Sequence, residues 1–83
     1  MKLDVLYFAW LRERIGAPSE RVETEAATVA DLLAELRDRD ERHALALSDM
    51  RAVRVALDQK LAALDDPLTD VREVAFFPPM TGG

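Results

Sequence analysis

Polar and apolar residues alternate over residues 2–9, with Leu3, Val5 and Tyr7 on one side and Leu6 and Phe8 on the other. A period of two with β-branched and aromatic residues predicts a strand covered on at least one face. The next stretch, 10–15, carries Arg12, Glu13 and Arg14 and runs into Gly16 and Pro18, which predicts a short helical turn stopped by the glycine. Residues 21–25 read as a short, polar second strand. The period then changes. Val29, Leu32, Leu33 and Leu36 recur at spacings of three and four, so they line one face of a helix running from 29 to about 39. Thr28 is its predicted N-cap, with Asp31 three residues on as a capping-box-like partner. Residues 41–47 predict another short helix, with Leu45 and Leu47 apolar, and Ser48-Asp49 a turn. Alternation returns at 52–57, where Val53 and Val55 face one way and Arg54 and Ala56 the other. Turn signals at Asp58-Gln59-Lys60 and Asp65-Asp66-Pro67 bracket a brief strand at 61–64. The last strand, 71–77, ends at Pro78-Pro79, because neither proline donates to a sheet ladder.

The order is strand, strand, helix, then strands. The one long helix must lay its leucine face on the sheet, since each needs a partner for its apolar side. An α+β fold of the β-grasp, or ubiquitin-like, type follows: a mixed sheet of about four to five strands packed on one main helix. The chain divides into one domain at 1–77 and an extended, flexible tail at 78–83. Its 83 residues suffice for a single domain with one modest core.

Composition narrows the chemistry. There is no cysteine, which excludes disulfides, thiolate metal sites and a cysteine nucleophile. The net charge of -5 comes without a basic cluster, which argues against nucleic-acid binding. An acidic chain suits a basic protein partner, or the charge serves solubility alone. Asp4 interrupts what would be the apolar part of a signal peptide, and no apolar run approaches membrane-spanning length. The cytoplasm is the expected location, with no membrane partner.

Only three glycines occur, and two of them are Gly82 and Gly83. A frayed end is the plain reading of such a tail. What precedes it changes that reading. Pro78 and Pro79 stiffen the chain where it leaves the sheet. Six extended residues reach about 20 Å, and Gly82-Gly83 offers backbone without a β-carbon. Such a tail is thin enough for a narrow tunnel in another enzyme. A terminal carboxylate is a poor electrophile, but adenylation supplies a leaving group that a sulfur nucleophile can displace. The tail then acts as a tethered cosubstrate.

The stretch Glu73-Val74-Ala75-Phe76-Phe77-Pro78-Pro79-Met80-Thr81-Gly82-Gly83 resembles the C-terminal signature of the molybdopterin synthase small subunit family. Leu6-Tyr7-Phe8-Ala9 with Arg12-Glu13, Thr28-Val29, Ala44-Leu45-Ala46-Leu47 and Pro67-Leu68-Thr69-Asp70 resemble its earlier segments. Two departures fall at turns or strand starts: Leu57-Asp58-Gln59 where Val-Asn-Gln is usual, and Val71-Arg72 where Gly-Asp is usual. Met80 stands where valine is common. The resemblance implies a sulfur carrier that is not an enzyme on its own. Gly83 would be adenylated by a ubiquitin-activating-like enzyme using ATP-Mg, converted to a thiocarboxylate, and used to sulfurate precursor Z. It implies no permanently bound cofactor and no metal. It implies a large-subunit partner in a heterotetramer with two of each chain. It assigns Gly82, Thr81, Met80, Pro79 and Pro78 to tail insertion, and Phe8, Arg12 and Phe77 to partner binding.

Other residues read more plainly. His43, the only histidine, has no second ligand at helical spacing and is expected to be structural or at the surface. Asp65-Asp66 and Asp38-Arg39-Asp40-Glu41 lack metal-loop spacing and read as solvated turns. Trp10 reads as a core or edge anchor. Phe76 and Phe77 must point to opposite faces of their strand, and the resemblance favours Phe77 as the exposed one. Competing functions are a carrier for thiamine or tRNA thiolation, a non-covalent β-grasp interaction module, and covalent tagging through Gly83.

Overall fold

The first predicted strand forms as β1 (Lys2–Tyr7) and stops two residues short of the expected end. The structure is a computed structural model and describes residues 1–79. β1 pairs antiparallel with β2 (Ser19–Glu23), setting Leu3 against Val22 and Leu6 against Ser19. That pairing starts β2 two residues earlier than its polar sequence indicated. Between them, α1 (Trp10–Ile15) closes on Gly16. The φ of Gly16 is 93°, a left-handed cap, and its N–H donates to the Arg12 carbonyl at 2.9 Å.

The helix α2 (Val29–Arg37) starts where expected, because Thr28 Oγ1 accepts the Asp31 N–H at 3.2 Å. Its four large apolar residues, Val29, Leu32, Leu33 and Leu36, are fully buried. It ends two residues before the predicted stop. Asp40 begins the next element by accepting the His43 N–H, giving α3 (Glu41–Ala46). Leu47 is buried and Leu45 is exposed, so only one of that pair enters the core. Asp49 then accepts the Arg51 N–H and holds a single 3-10 turn at Met50–Ala52. The expected strand is correspondingly shortened to β3 (Arg54–Leu57). β4 (Lys60–Ala62) and β5 (Glu73–Phe77) complete the chain's strands among the described residues.

The five strands form one mixed sheet in the order β2-β1-β5-β3-β4. β1 and β5 are parallel, and the remaining pairs are antiparallel. The inner face presents Leu3, Val5, Tyr7, Val22, Val55, Val74 and Phe76 to the leucines of α2. This is the β-grasp arrangement that the order of elements implied. Each buried leucine of α2 contributes roughly 1.5–3 kcal/mol, so the helix face is a major fraction of a small domain's stability.

β3 and β4 meet at Asp58-Gln59, with φ of 48° and 72°. Two left-handed residues define a type I′ turn, the geometry that favours Asn-Gly. Neither residue here is glycine. Asp58 is compensated: its Oδ1 accepts the N–H groups of Arg72 and Glu73 at 3.1 and 2.9 Å, tying the hairpin to the start of β5. Gln59→Gly is expected to stabilise the fold by roughly 0.5 kcal/mol, the left-handed cost less glycine's entropy. Asp58→Ala is expected to destabilise it by about 1 kcal/mol through the two lost hydrogen bonds. Urea unfolding midpoints of the two variants check both signs.

Candidate functional site: the outer sheet face and the tail exit

The outer face of the sheet is defined by the residues that alternate with the core. Leu6 lies beside Ala75 in the parallel β1–β5 pair, and the Phe8 N–H donates to the Phe76 carbonyl at 3.1 Å. Here the sheet bears a groove of about 640 Å³ lined by Leu6, Phe8, Ala9, Gln59, Glu73, Ala75, Phe77 and Pro78. The small Ala75 is nearly buried, while Phe8 is 47% exposed. An exposed aromatic at the edge of a concave apolar surface is the composition expected of a docking site.

Phe76 and Phe77 divide as predicted. Phe76 is fully buried against the helix side and Phe77 is half-buried on the groove. Phe8, Phe77 and Pro78 are thus brought together, with Pro79 following, half-buried. Arg12 is exposed on α1, outside the groove lining. Met80, Thr81, Gly82 and Gly83 lie outside the described residues. Trp10 is half-buried against the core, and the Arg14 guanidinium sits 4.7 Å from its ring centroid, as suits an edge anchor.

Ala9 is one of the groove residues that carried no signal in the sequence. Ala9 has φ 56° and ψ -131°, a combination that L side chains avoid. Neighbouring hydrogen bonds hold it there. The Leu11 N–H donates to the Phe8 carbonyl and the Arg12 N–H to the Ala9 carbonyl, both at 3.2 Å. This turn ends β1 at Tyr7 and directs Phe8 to the outer face. Leu6 and Ala75 were legible once strand alternation was combined with strand pairing. Gln59 and Glu73 were not.

Behind the groove lies a polar cluster. His43 is buried, with Nε2 2.7 Å from Glu20 Oε2 and Nδ1 2.8 Å from Asp40 Oδ1. Tyr7 O–H donates to the same Glu20 oxygen at 2.7 Å, and Arg39 pairs with the other. Burial opposes charge on His43, but the bonds to Glu20 and Asp40 outweigh it and raise its pKa above the ordinary value. Burial alone would raise the Glu20 pKa, yet the His43 and Tyr7 bonds bring it below the usual value. Burial, with Glu20 alongside, pushes the Tyr7 phenol up. His43 is therefore structural, one of the two alternatives the sequence left. Among the described residues, no group of three or more His, Cys, Asp or Glu is placed to hold a metal ion. Among them, too, no helix is long and apolar enough to cross a membrane.

A five-stranded mixed sheet, an apolar outer groove and a C-terminal segment leaving its rim define a ubiquitin-like protein of β-grasp fold. The ThiS family model matches residues 5–83, and the chain belongs to that family. It is 43% identical over 81 residues to the molybdopterin synthase sulfur carrier subunit of Escherichia coli strain K12, covering 98% of this chain and 99% of that protein. Among solved structures it is similar to SAMP1 from Haloferax volcanii, with a TM-score of 0.76, 29% identity and full coverage of both chains. It is also similar to small archaeal modifier protein 1 from Methanosarcina acetivorans, with a TM-score of 0.72 and 25% identity, covering 99% and 96% of the two chains.

The strain at Ala9 gives a prediction. Ala9→Gly is expected to raise stability by about 1 kcal/mol, the relief of an unfavourable φ,ψ pair less glycine's unfolded-state entropy. Thermal and urea unfolding read this directly, and an unchanged midpoint would mean that Ala9 is unstrained.

Proposed function

We propose that this chain is the sulfur-carrier subunit of a molybdopterin synthase. The observation that carries the reading is the apolar groove whose rim holds Phe8, Phe77 and Pro78, where the segment toward Gly82-Gly83 leaves the sheet. The full-length similarity to a carrier subunit of that synthase supports it. In this reading a carboxylate oxygen of Gly83 attacks the α-phosphate of ATP-Mg and pyrophosphate leaves. A sulfide-level donor then attacks the terminal carbonyl carbon. The C–S bond forms, the bond to AMP breaks, and a thiocarboxylate remains. Two such carriers supply the two dithiolene sulfurs of molybdopterin from precursor Z.

The domain's part in this chemistry is positioning. The groove docks on the large subunit, with Phe8 and Phe77 as apolar anchors and Arg12 as a further contact from α1, outside the groove. Pro78 and Pro79 restrict the path of the exit, so fewer tail conformations are lost on insertion. Met80, Thr81, Gly82 and Gly83 enter the partner's active site, whose side chains perform catalysis. The adenylating enzyme engages the same tail. The functional assembly has two copies of each subunit, and its compartment is the cytoplasm.

A second acceptor class has an observation in its favour, since two similar solved structures are named as modifier proteins. An amine in place of the pterin acceptor would then receive the activated glycine. One experiment separates these readings. The intact chain is incubated with the host adenylating enzyme, ATP and sulfide, then with precursor Z or with whole-cell protein. Replacement of one oxygen by sulfur, seen as a mass gain and abolished by deleting Gly82-Gly83, is the expected result. Consumption of the sulfur by precursor Z supports the synthase. Isopeptide adducts would move the function to protein modification, and no mass gain with a proven activating enzyme would sink the carrier reading.

The anchors give a further prediction. Phe8→Ala and Phe77→Ala are each expected to weaken large-subunit binding by roughly 10-fold or more, the usual effect of truncating an aromatic anchor. Both residues are partly exposed, so unfolding midpoints should move much less than for Phe76→Ala. Titration calorimetry alongside urea unfolding tests the separation.

A further inference from the structure

The cluster behind the groove is more than a satisfied core histidine. Its two ring nitrogens both meet carboxylate oxygens at 2.7 and 2.8 Å. A neutral imidazole has one N–H and one lone pair, so it can donate to only one of them. The other nitrogen would then face a carboxylate lone pair to lone pair. Only the imidazolium donates to Glu20 and Asp40 at once. The groups facing the ring are Tyr7 from β1, Glu20 from β2 and Asp40 at the start of α3, while Arg39 from the segment after α2 pairs with the other oxygen of Glu20. Their arrangement places net negative charge against the ring.

The consequence travels through Tyr7. Glu20 binds the Tyr7 hydroxyl at 2.7 Å, and the Tyr7 ring stands edge-on to His43 with centroids 6.0 Å apart. On its other side Tyr7 stacks with Phe76 at 6.2 Å and 19°. Phe8 follows Tyr7, Phe77 follows Phe76, and the two segments are joined by the Phe8 N–H to Phe76 carbonyl bond. We infer that His43, as an imidazolium clasped by Glu20 and Asp40, is a pH-sensitive positioning residue for the docking face, holding Tyr7 and through it Phe8 and Phe77. Its bearing on docking rests on the carrier reading above, whereas the clasp itself stands on the geometry.

The sign of the effect follows from linkage. His43 has a folded-state pKa above its ordinary 6.5, so its contribution is complete below that value and is lost as pH rises through the raised one. Glu20 and Asp40 are lowered from 4.5 and 3.8, so their contributions are present above those values and are lost as pH falls through the depressed ones. The clasp is therefore tightest between about 4.5 and 6.5 and loosens toward alkaline pH.

Because His43 is the only histidine, its ring is unambiguous in a nitrogen-15 spectrum of the full chain. A titration from about pH 5.5 to 9 is the test. The expected result is a midpoint above 6.5, with the amide shifts of Tyr7, Phe8, Phe76 and Phe77 following at that midpoint. In His43→Gln the amide transitions should vanish, and Glu20→Gln, which keeps an acceptor but not the charge, should lower the midpoint. A midpoint at or below 6.5, amides indifferent to the ring, or a Glu20→Gln variant with an unchanged midpoint would each overturn the inference. No partner enters this measurement. If the coupling is present and large-subunit binding is absent, the carrier reading fails and the clasp stands.

Discussion

The parallel pairing of β1 with β5 is the constraint on which the rest depends. It sets the first and last strands of the chain side by side at the centre of the sheet. Parallel neighbours need a long crossover, and here everything from α1 to β4 fills it, with α2 covering the inner face. The register does two things at once. On the inside it stacks Tyr7 on Phe76, and on the outside it places Leu6 beside Ala75 and Phe8 near Phe77. A slip of one residue would send the core aromatics to the surface and the groove residues inward. The buried pair Tyr7–Phe76 therefore specifies the surface site as well as the core.

Much of this was legible because it rests on period and punctuation. The α2 leucines, the Thr28 cap, the Gly16 stop and the opposite facing of Phe76 and Phe77 all follow from residue spacing. What escaped the sequence was set by partners distant in the chain. β2 begins at Ser19 because β1 pairs with it there, not because Ser19-Glu20 looks like a strand. The start of β3 is delayed because Asp49 holds a 3-10 turn that the alternation of Val53 and Val55 does not reveal. Leu45 looked as apolar as Leu47 and is exposed. In the site, Phe77 and Pro78 were readable, while Ala9 was not, since nothing about an alanine announces a positive φ.

Local strain and its compensation recur around the groove. Ala9, Asp58 and Gln59 all have positive φ without being glycine, and Ala9 and Gln59 line the groove. Such conformations cost of order 1–3 kcal/mol each and persist only where surrounding contacts over-determine them. Backbone bonds around Phe8 do this at Ala9, and the Asp58 carboxylate does it at the hairpin. The turn is held with Asp58 at its first central position because the carboxylate is an acceptor for two N–H groups at the start of β5. The hairpin, the strand that leads to the tail and the groove wall are thus tied at one carboxylate.

The placement of polar chemistry separates two tasks. The outer face offers mainly shape and apolar surface. Among the described residues, a tightly knit, partly buried ionic group, Tyr7-Glu20-His43-Asp40 with Arg39, sits on the other side of β1. A partly buried charge cluster is weak evidence for stability, because desolvation of His43 and Glu20 and solvent screening at Asp40 and Arg39 offset much of its attraction. Its better-supported role is to fix one geometry among several. Leucines would hold α3 against β1 and β2 as firmly, but would not orient the Tyr7 hydroxyl. With that hydroxyl held by Glu20, the ring has one preferred position against Phe76, and Phe8 and Phe77 inherit it through the backbone. In the proposed function the carrier lends only its terminal atoms to the reaction and depends on such positioning, since its contribution to the rate is where the tail begins and in which direction it leaves.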